Sequence, residues 1–249
     1  MGYNFAFEVD KTARQTPDKT AVYCVREYGE IEQLSYDELR RRSNQLARAL
    51  MTNGIHKGSR VLVLLPKGME PYIVYLALLK TGATVMPGSE MLRSSDIRYR
   101  VHHAGATAVI AHHTLTGEVD DSRVDCPTLT HFYSVGSDVR GWTTLASLVR
   151  DVSDADLSME TEDSDIAFLS YTSGTTGAPR VSFTATRGRA NTSPSLGHTG
   201  LTRSRRISLG RPLGLAGRSG CGARSYPSSA TVRPRSCTKD VFSRTLTCN

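Results

Sequence analysis

Residues 171–180 read YTSGTTGAPR, and these residue types in this order are what a loop needs to wrap a polyphosphate. Glycine, here Gly174 and Gly177, lets the backbone approach an oxyanion and turn its N–H groups inward. The hydroxyls of Thr172, Ser173, Thr175 and Thr176 can donate to phosphate oxygens, and Arg180 supplies a cation to offset their charge. This is not a Walker A loop, because Gly174 to Arg180 is too short a spacing and no Lys-Ser/Thr pair follows. The same composition also suits an ordinary Ser/Thr/Gly surface connection.

Other candidate chemistry is weaker. His102-His103 and His112-His113 are adjacent pairs whose members point in different directions, with no carboxylate or thiolate spacing to complete a metal site, so they read as surface histidines. Arg40, Arg41 and Arg42 read as the solvated face of an amphipathic helix.

The elements that must position the loop follow from periodicity. Ala21–Leu34 carries Val22, Tyr23 and Val25, a glycine at 29, then Ile31 and Leu34, which predicts a hairpin. Ser35 with Glu38 is a capping box, and Leu39, Leu46, Ala47, Leu50 and Met51 recur on one helical face until Gly54. Arg60–Leu65 is an apolar run ended by Pro66, the pattern of a strand buried on both faces. A helix from about Met69 to Thr81, a strand at Thr84–Met86, a helix over Asp96–Ala104 capped by Ser95, and a strand at Thr107–Ala111 follow. From 119 to 164 the signals weaken, with a helix expected over Trp142–Arg150 and an exposed acidic linker over Asp151–Asp165. Ile166–Tyr171 is again a strand and leads straight into the loop. Strand and helix alternate with short connections, so the expected fold class is α/β, a parallel sheet with covering helices.

Charge divides the chain of 249 residues in two. Residues 1–180 hold 19 Lys and Arg against 23 Asp and Glu, a net of −4, whereas residues 181–249 hold 12 against the single acid Asp240, a net of +11. Leu, Ile, Val and Phe number only 12 in those last 69 residues, too few for a packed core at that charge, so a disordered basic tail is expected. Only Cys24 and Cys126 precede Arg180, without paired spacing or a signal peptide, which fits a reduced cytoplasmic protein. The most apolar window, Pro71–Leu79, is less than half a bilayer span, and no membrane span is expected. Met1-Gly2 does not open a myristoylation motif, since Ala6 stands where Ser or Thr is required.

The string Tyr-Thr-Ser-Gly-Thr-Thr-Gly-x-Pro plus a cation, directly after an apolar strand, resembles the phosphate-binding signature of the AMP-forming acyl-CoA synthetases of the adenylate-forming superfamily. The resemblance extends upstream through Thr16-Pro17-Asp18-Lys19-Thr20-Ala21, Leu34-Ser35-Tyr36-Asp37-Glu38-Leu39 and Leu79-Lys80-Thr81-Gly82-Ala83, and Pro87–Arg93 looks like the acetyl- to medium-chain branch. It implies that residues 1–180 are the N-terminal part of an AMP-binding domain. It implies a family reaction in which a small carboxylic acid and ATP, with Mg, give acyl-AMP and pyrophosphate, after which coenzyme A takes the acyl group. Thr172, Ser173, Gly174, Thr175, Thr176 and Gly177 would hold the β- and γ-phosphates, with Arg180 where the family usually places Lys.

Motifs that the family places downstream are missing: the 249 residues contain no Tyr-Gly-x-Thr-Glu, no Thr-Gly-Asp and no Ser-Gly-Lys. No catalytic residue is therefore assigned, and a truncated, inactive chain is expected. The departure falls inside the signature, where Val181 replaces the family's Gly. Codons straddling Arg180–Val181, Val181–Ser182, Ser182–Phe183 and Phe183–Thr184 can encode Gly, Val, Val or Ile, and His or Tyr, which is a continuation of the family type. Residues 181–249 therefore read as an out-of-frame translation. The alternative is a nucleic-acid-binding protein, in which Arg187, Arg189, Arg203, Arg205 and Arg206 of the tail would meet phosphates.

Overall fold

The apolar run at 60–65 becomes the middle of the molecule because its alternate side chains enter two different cores. Val61 and Val63 pack with Leu46, Leu50, Ile73 and Ala77 on one face, while Leu62 and Leu64 pack with Ile97, Val101 and Val119 on the other. A strand covered on both sides must be flanked by other strands and sandwiched between helices, and the topology is that arrangement. The computed structural model describes residues 4–25, 29–157, 161–162, 164–172, 180–185, 190–193 and 246–248.

The chain opens with α1 (Phe5–Gln15), then β1 (Thr20–Val25) and β2 (Ile31–Ser35), the antiparallel hairpin that the sequence predicts. Ser35 Oγ accepts the Glu38 N–H and starts α2 (Tyr36–Thr52). Then β3 (Arg60–Leu64), α3 (Glu70–Lys80), β4 (Thr84–Pro87), α4 (Ser94–Ala104) and β5 (Ala108–His112) alternate as expected. A single 3-10 turn at His113–Leu115 leads into α5 (Thr116–Arg123), followed by β6 (His131–Val135), β7 (Thr143–Thr144), the one-turn α6 (Leu145–Leu148) and β8 (Ile166–Thr172). The last described strands are β9 (Arg180–Ala185), β10 (Ala190–Ser193) and β11 (Leu246–Cys248).

The main sheet has eight strands in the order β10-β9-β8-β4-β3-β5-β6-β7. From β8 to β7 all neighbours are parallel, with Val61 beside Val85 and Ala108; β9 and β10 are antiparallel. A second, small sheet holds β1 and β2, with β11 parallel to β1. The sheet runs on past the expected boundary at Arg180: Val181 is buried, and Phe183 packs against the core formed by Leu62, Val109 and Leu169. Most of the stretch in which a disordered tail is expected, 194–245, lies outside the described residues.

Three local expectations are corrected. α4 begins at Ser94, not after a Ser95 cap, because Asp96 accepts the Arg93 N–H and Glu118 of α5 accepts the Ser94 N–H. The helix expected over Trp142–Arg150 shrinks to one turn, because Thr143 and Thr144 are drawn into pairing with β6 and the chain leaves αR at Asp151, whose φ is 61°. The acidic linker is largely exposed, as expected, but it is also strapped to α1 and α2, which changes the expected state of Arg40. Asp156 pairs with Arg14 and Arg40, Asp154 with Arg41, and the Arg48 guanidinium donates to the Ala155 and Asp156 carbonyls. Arg40 therefore leaves the solvated face and is only 19% exposed, whereas Arg41 and Arg42 stay about half exposed.

Gly82 follows the Thr81 C-cap of α3 at φ +73°, and a Cβ there would stand 3.1 Å from the Lys57 Cβ and 3.3 Å from its Cα. Both the left-handed backbone and the space demand glycine. Gly82→Ala is expected to lower stability by more than about 1 kcal/mol, read as a lower urea midpoint at an unchanged slope.

Candidate functional site

Parallel β8 reaches the middle of the sheet beside β4, with Phe168 opposite Val85 and the Thr84 hydroxyl donating to the Ile166 carbonyl. That anchorage sets the height at which the strand stops. In the antiparallel ladder of β8 and β9, Thr172 stands opposite Arg180, so the backbones at the two ends of the glycine- and hydroxyl-rich segment are cross-strand partners. Thr172 ends β8 and Arg180 begins β9. Ser173, Gly174, Thr175, Thr176 and Gly177 lie outside the described residues, as does all of 173–179. Sequence reasoning thus puts the loop at a strand terminus, and the described strands frame it there.

Just before the loop, Tyr171 is held from α4. Its hydroxyl is 2.9 Å from His103 Nδ1 and 3.4 Å from the Arg100 carbonyl. The Arg100 guanidinium lies 5.4 Å from the ring centroid, and Tyr99 and His103 meet the ring edge-on at 6.2 and 5.7 Å. Burial drives the Tyr171 phenol well above its ordinary value, so it stays a neutral hydroxyl. Burial also lowers the Arg100 pKa from its usual value. Sequence reading missed this group. The only hint was the i, i+4 spacing of Tyr99 and His103, which puts both on one face of a helix.

His103 is accordingly no bare surface residue, whereas His102 is exposed. His112 and His113 sit ring to ring at 4.2 Å, His112 bonded to the Thr114 hydroxyl and His113 to the Val135 carbonyl. Among the described residues, no three His, Cys, Asp or Glu side chains are grouped to hold a metal ion. Cys24 and Cys126 are both buried thiols. A cavity of about 240 Å³ between α2, α3 and α6, lined by Leu46, Ile73, Val74, Val149, Arg42 and Glu70, lies in the helix layer opposite the one that holds Tyr171, and is not part of this site.

Residues 9–192 match the family described as AMP-binding enzyme, with the loop and both of its strands inside the match. The chain belongs to that family. This AMP-binding chain is 39% identical over 178 residues to an uncharacterised acyl-CoA ligase of Bacillus subtilis (strain 168), YtcI, covering 72% of the chain and 33% of the relative. It is 30% identical over 187 residues to human mitochondrial acyl-coenzyme A synthetase ACSM3, covering 72% of the chain and 32% of the relative. It therefore spans about a third of the length of the curated relatives it matches. Solved structures agree on the fold. The anthranilate CoA ligase AuaEII superposes with a TM-score of 0.69 at 21% identity over 75% of the chain and 35% of the ligase. The N-terminal domain of FACL13 from Mycobacterium tuberculosis superposes with a TM-score of 0.63 at 24% identity, over 74% of the chain and 44% of that domain. The described architecture is thus that of the N-terminal domain of adenylate-forming enzymes. The tail arginines on which a nucleic-acid reading would rest lie outside the described residues, and no helix of the described residues is long and apolar enough to cross a membrane.

Proposed function

We propose that this chain carries the N-terminal part of the adenylating domain of an acyl-CoA synthetase that works in the reducing cytoplasm. The ancestral reaction joins a small carboxylic acid to ATP as acyl-AMP with loss of pyrophosphate, then passes the acyl group to the coenzyme A thiol. Thr172, Ser173, Gly174, Thr175, Thr176, Gly177 and Arg180 hold the β- and γ-phosphates through backbone N–H groups, hydroxyls and one guanidinium. The observation that carries this reading is the opposed placement of Thr172 and Arg180 at the end of a buried strand, in a chain matched to the AMP-binding family. ATP would supply the adenylyl group, with pyrophosphate as the leaving group, and Mg²⁺ would neutralise the phosphate charge; no residue of this chain is assigned to the metal.

As a 249-residue polypeptide, the chain binds polyphosphate without completing the reaction, because the sequence offers no adenine motif and no catalytic lysine in a family context. The family match ends at residue 192 and leaves the last 57 residues outside it, so the proposed change of register at Val181 rests on the codon reading alone. Titration calorimetry with ATP and with pyrophosphate tests the loop assignment. Hydrogen bonds to charged groups contribute about 1.5–3 kcal/mol each, so a double Thr175→Ala, Thr176→Ala variant is expected to bind at least about tenfold more weakly. Equal affinity in parent and variant would remove the loop from the site.

A further inference from the structure

The phosphate loop begins one residue after Tyr171, and three side chains from one helical stretch converge on that tyrosine. Tyr99 and His103, four residues apart on α4, stack at 5.7 Å and present their rings to Tyr171. With the proton on Nδ1, His103 donates to the Tyr171 hydroxyl, which donates on to the Arg100 carbonyl; this tautomer is assigned from the acceptor carbonyl. Both roles of the hydroxyl are then filled by one helix. Arg100 adds a guanidinium over the ring, and its Nε and Nη1 are buried with no hydrogen-bond partner among the described residues.

A loop that grips an anion through backbone N–H groups works only if its ends are held to a fraction of an ångström. One end of this loop is set by its ladder to β9, which is antiparallel and near the sheet margin. Among the described residues, the ladder of β8 with β4 pairs Val85 with Phe168 and does not continue toward the loop. The last turn of strand before the loop is therefore steadied on the α4 side by side chains, not by backbone bonds to β4.

We propose that His103 and Arg100 of α4 are positioning residues for the phosphate loop and act on it through Tyr171. The proposal rests on the reading of that loop as a polyphosphate site. Both act on the end of the strand: His103 holds the Tyr171 hydroxyl, and the Arg100 carbonyl and guanidinium hold its hydroxyl and ring.

The test uses the full 249-residue chain with Tyr171→Phe, His103→Ala and His103→Gln. Losing the His103–Tyr171 hydrogen bond should weaken ATP binding about fivefold in His103→Ala, and at least as much in Tyr171→Phe, which also loses the bond to the Arg100 carbonyl. His103→Gln keeps a donor at similar reach and should return affinity to within about twofold of the parent. In parallel, amide hydrogen exchange over 166–185 should quicken only near the strand end in the two damaging variants and revert in His103→Gln. Unchanged exchange there, or a quickening spread over the whole sheet, overturns the proposal whether or not ATP binds. Parent protein that does not bind ATP removes the loop reading, and the exchange data then still decide the clasp.

Discussion

Lys80→Met is expected to destabilise the fold by about 3–5 kcal/mol at neutral pH, and by much less near pH 4. Lys80 ends α3 with its side chain 0% exposed. Its ammonium points three donors at three oxygens: Asp10 Oδ1 at 2.7 Å from α1, and Ser43 Oγ at 2.8 Å and Asn44 Oδ1 at 2.6 Å from α2. One cation thus bolts three helices together. Asp10 is 1% exposed and its Oδ2 has no partner among the described residues, so removing Lys80 strands a carboxylate in the core.

The pH dependence follows from the state of Asp10. Burial raises its pKa above 3.8 while the Lys80 charge pulls it down; without Lys80 only the upward push of burial is left among the large effects. A carboxyl whose folded value is raised adds stability that is fully present below 3.8 and is lost as pH rises through the folded value. The variant therefore falls progressively behind the parent as pH climbs from about 4 to 7. Asp156, whose pKa is lowered by Arg14 and Arg40, loses its contribution on acidification in both proteins and largely cancels in the difference. Guanidinium midpoints of parent, Lys80→Met, and the double variant with Asp10→Asn, taken at pH 4 and 7, measure it. The double variant should recover much of the loss at pH 7, and a Lys80→Met penalty under 1 kcal/mol or flat with pH would refute the account.

The second large effect is catalytic. ATP–pyrophosphate exchange with short or medium-chain fatty acids is expected to fall at least about a thousandfold below that of a full-length relative. Adenylation needs charge stabilisation at the forming acyl phosphate and a held adenine, and the only lysine past Arg180 is Lys239, in no family context. A chain recoded from Val181 in the straddling register, which permits Gly-Val-Val-His in place of Val-Ser-Phe-Thr, is expected to regain exchange once the downstream family motifs are encoded with it. Exchange by the unaltered chain at a rate within tenfold of a relative would end the inactivity proposal. A shifted register that meets an early stop codon would end the frame proposal.

Much of the fold was legible because its signals are local. The Ser35–Glu38 capping box, the apolar run at 60–65 and the glycine stop at 82 each act within a few residues. What escaped was decided at a distance. α1 puts Asp10 on its buried face, which breaks an apolar stripe and makes sense only against Lys80, 70 positions later. Lys80 itself reads as the polar end of an apolar window, yet it is among the most buried side chains in the protein. The acidic stretch 154–156 reads as an exposed linker until Arg14, Arg40 and Arg48 are brought to it. At the site, the loop's composition and its position after a strand were readable; the Tyr171 clasp was not, since His103 and Tyr171 are 68 residues apart.

The place of β8 in the sheet bears on how a ribosome must deliver this molecule. β4 is the neighbour of β3 on one side and of β8 on the other, yet 78 residues, 88–165, separate the end of β4 from the start of β8. While those residues are being synthesised, the nascent sheet carries β4 as an unpaired margin of Val85 and Met86 at its apolar heart. Chaperone capture or misassociation during translation should concentrate in that interval, and it closes when β8 clears the exit tunnel. The strand that leads into the glycine- and hydroxyl-rich segment is thus also the one that covers the open side of β4.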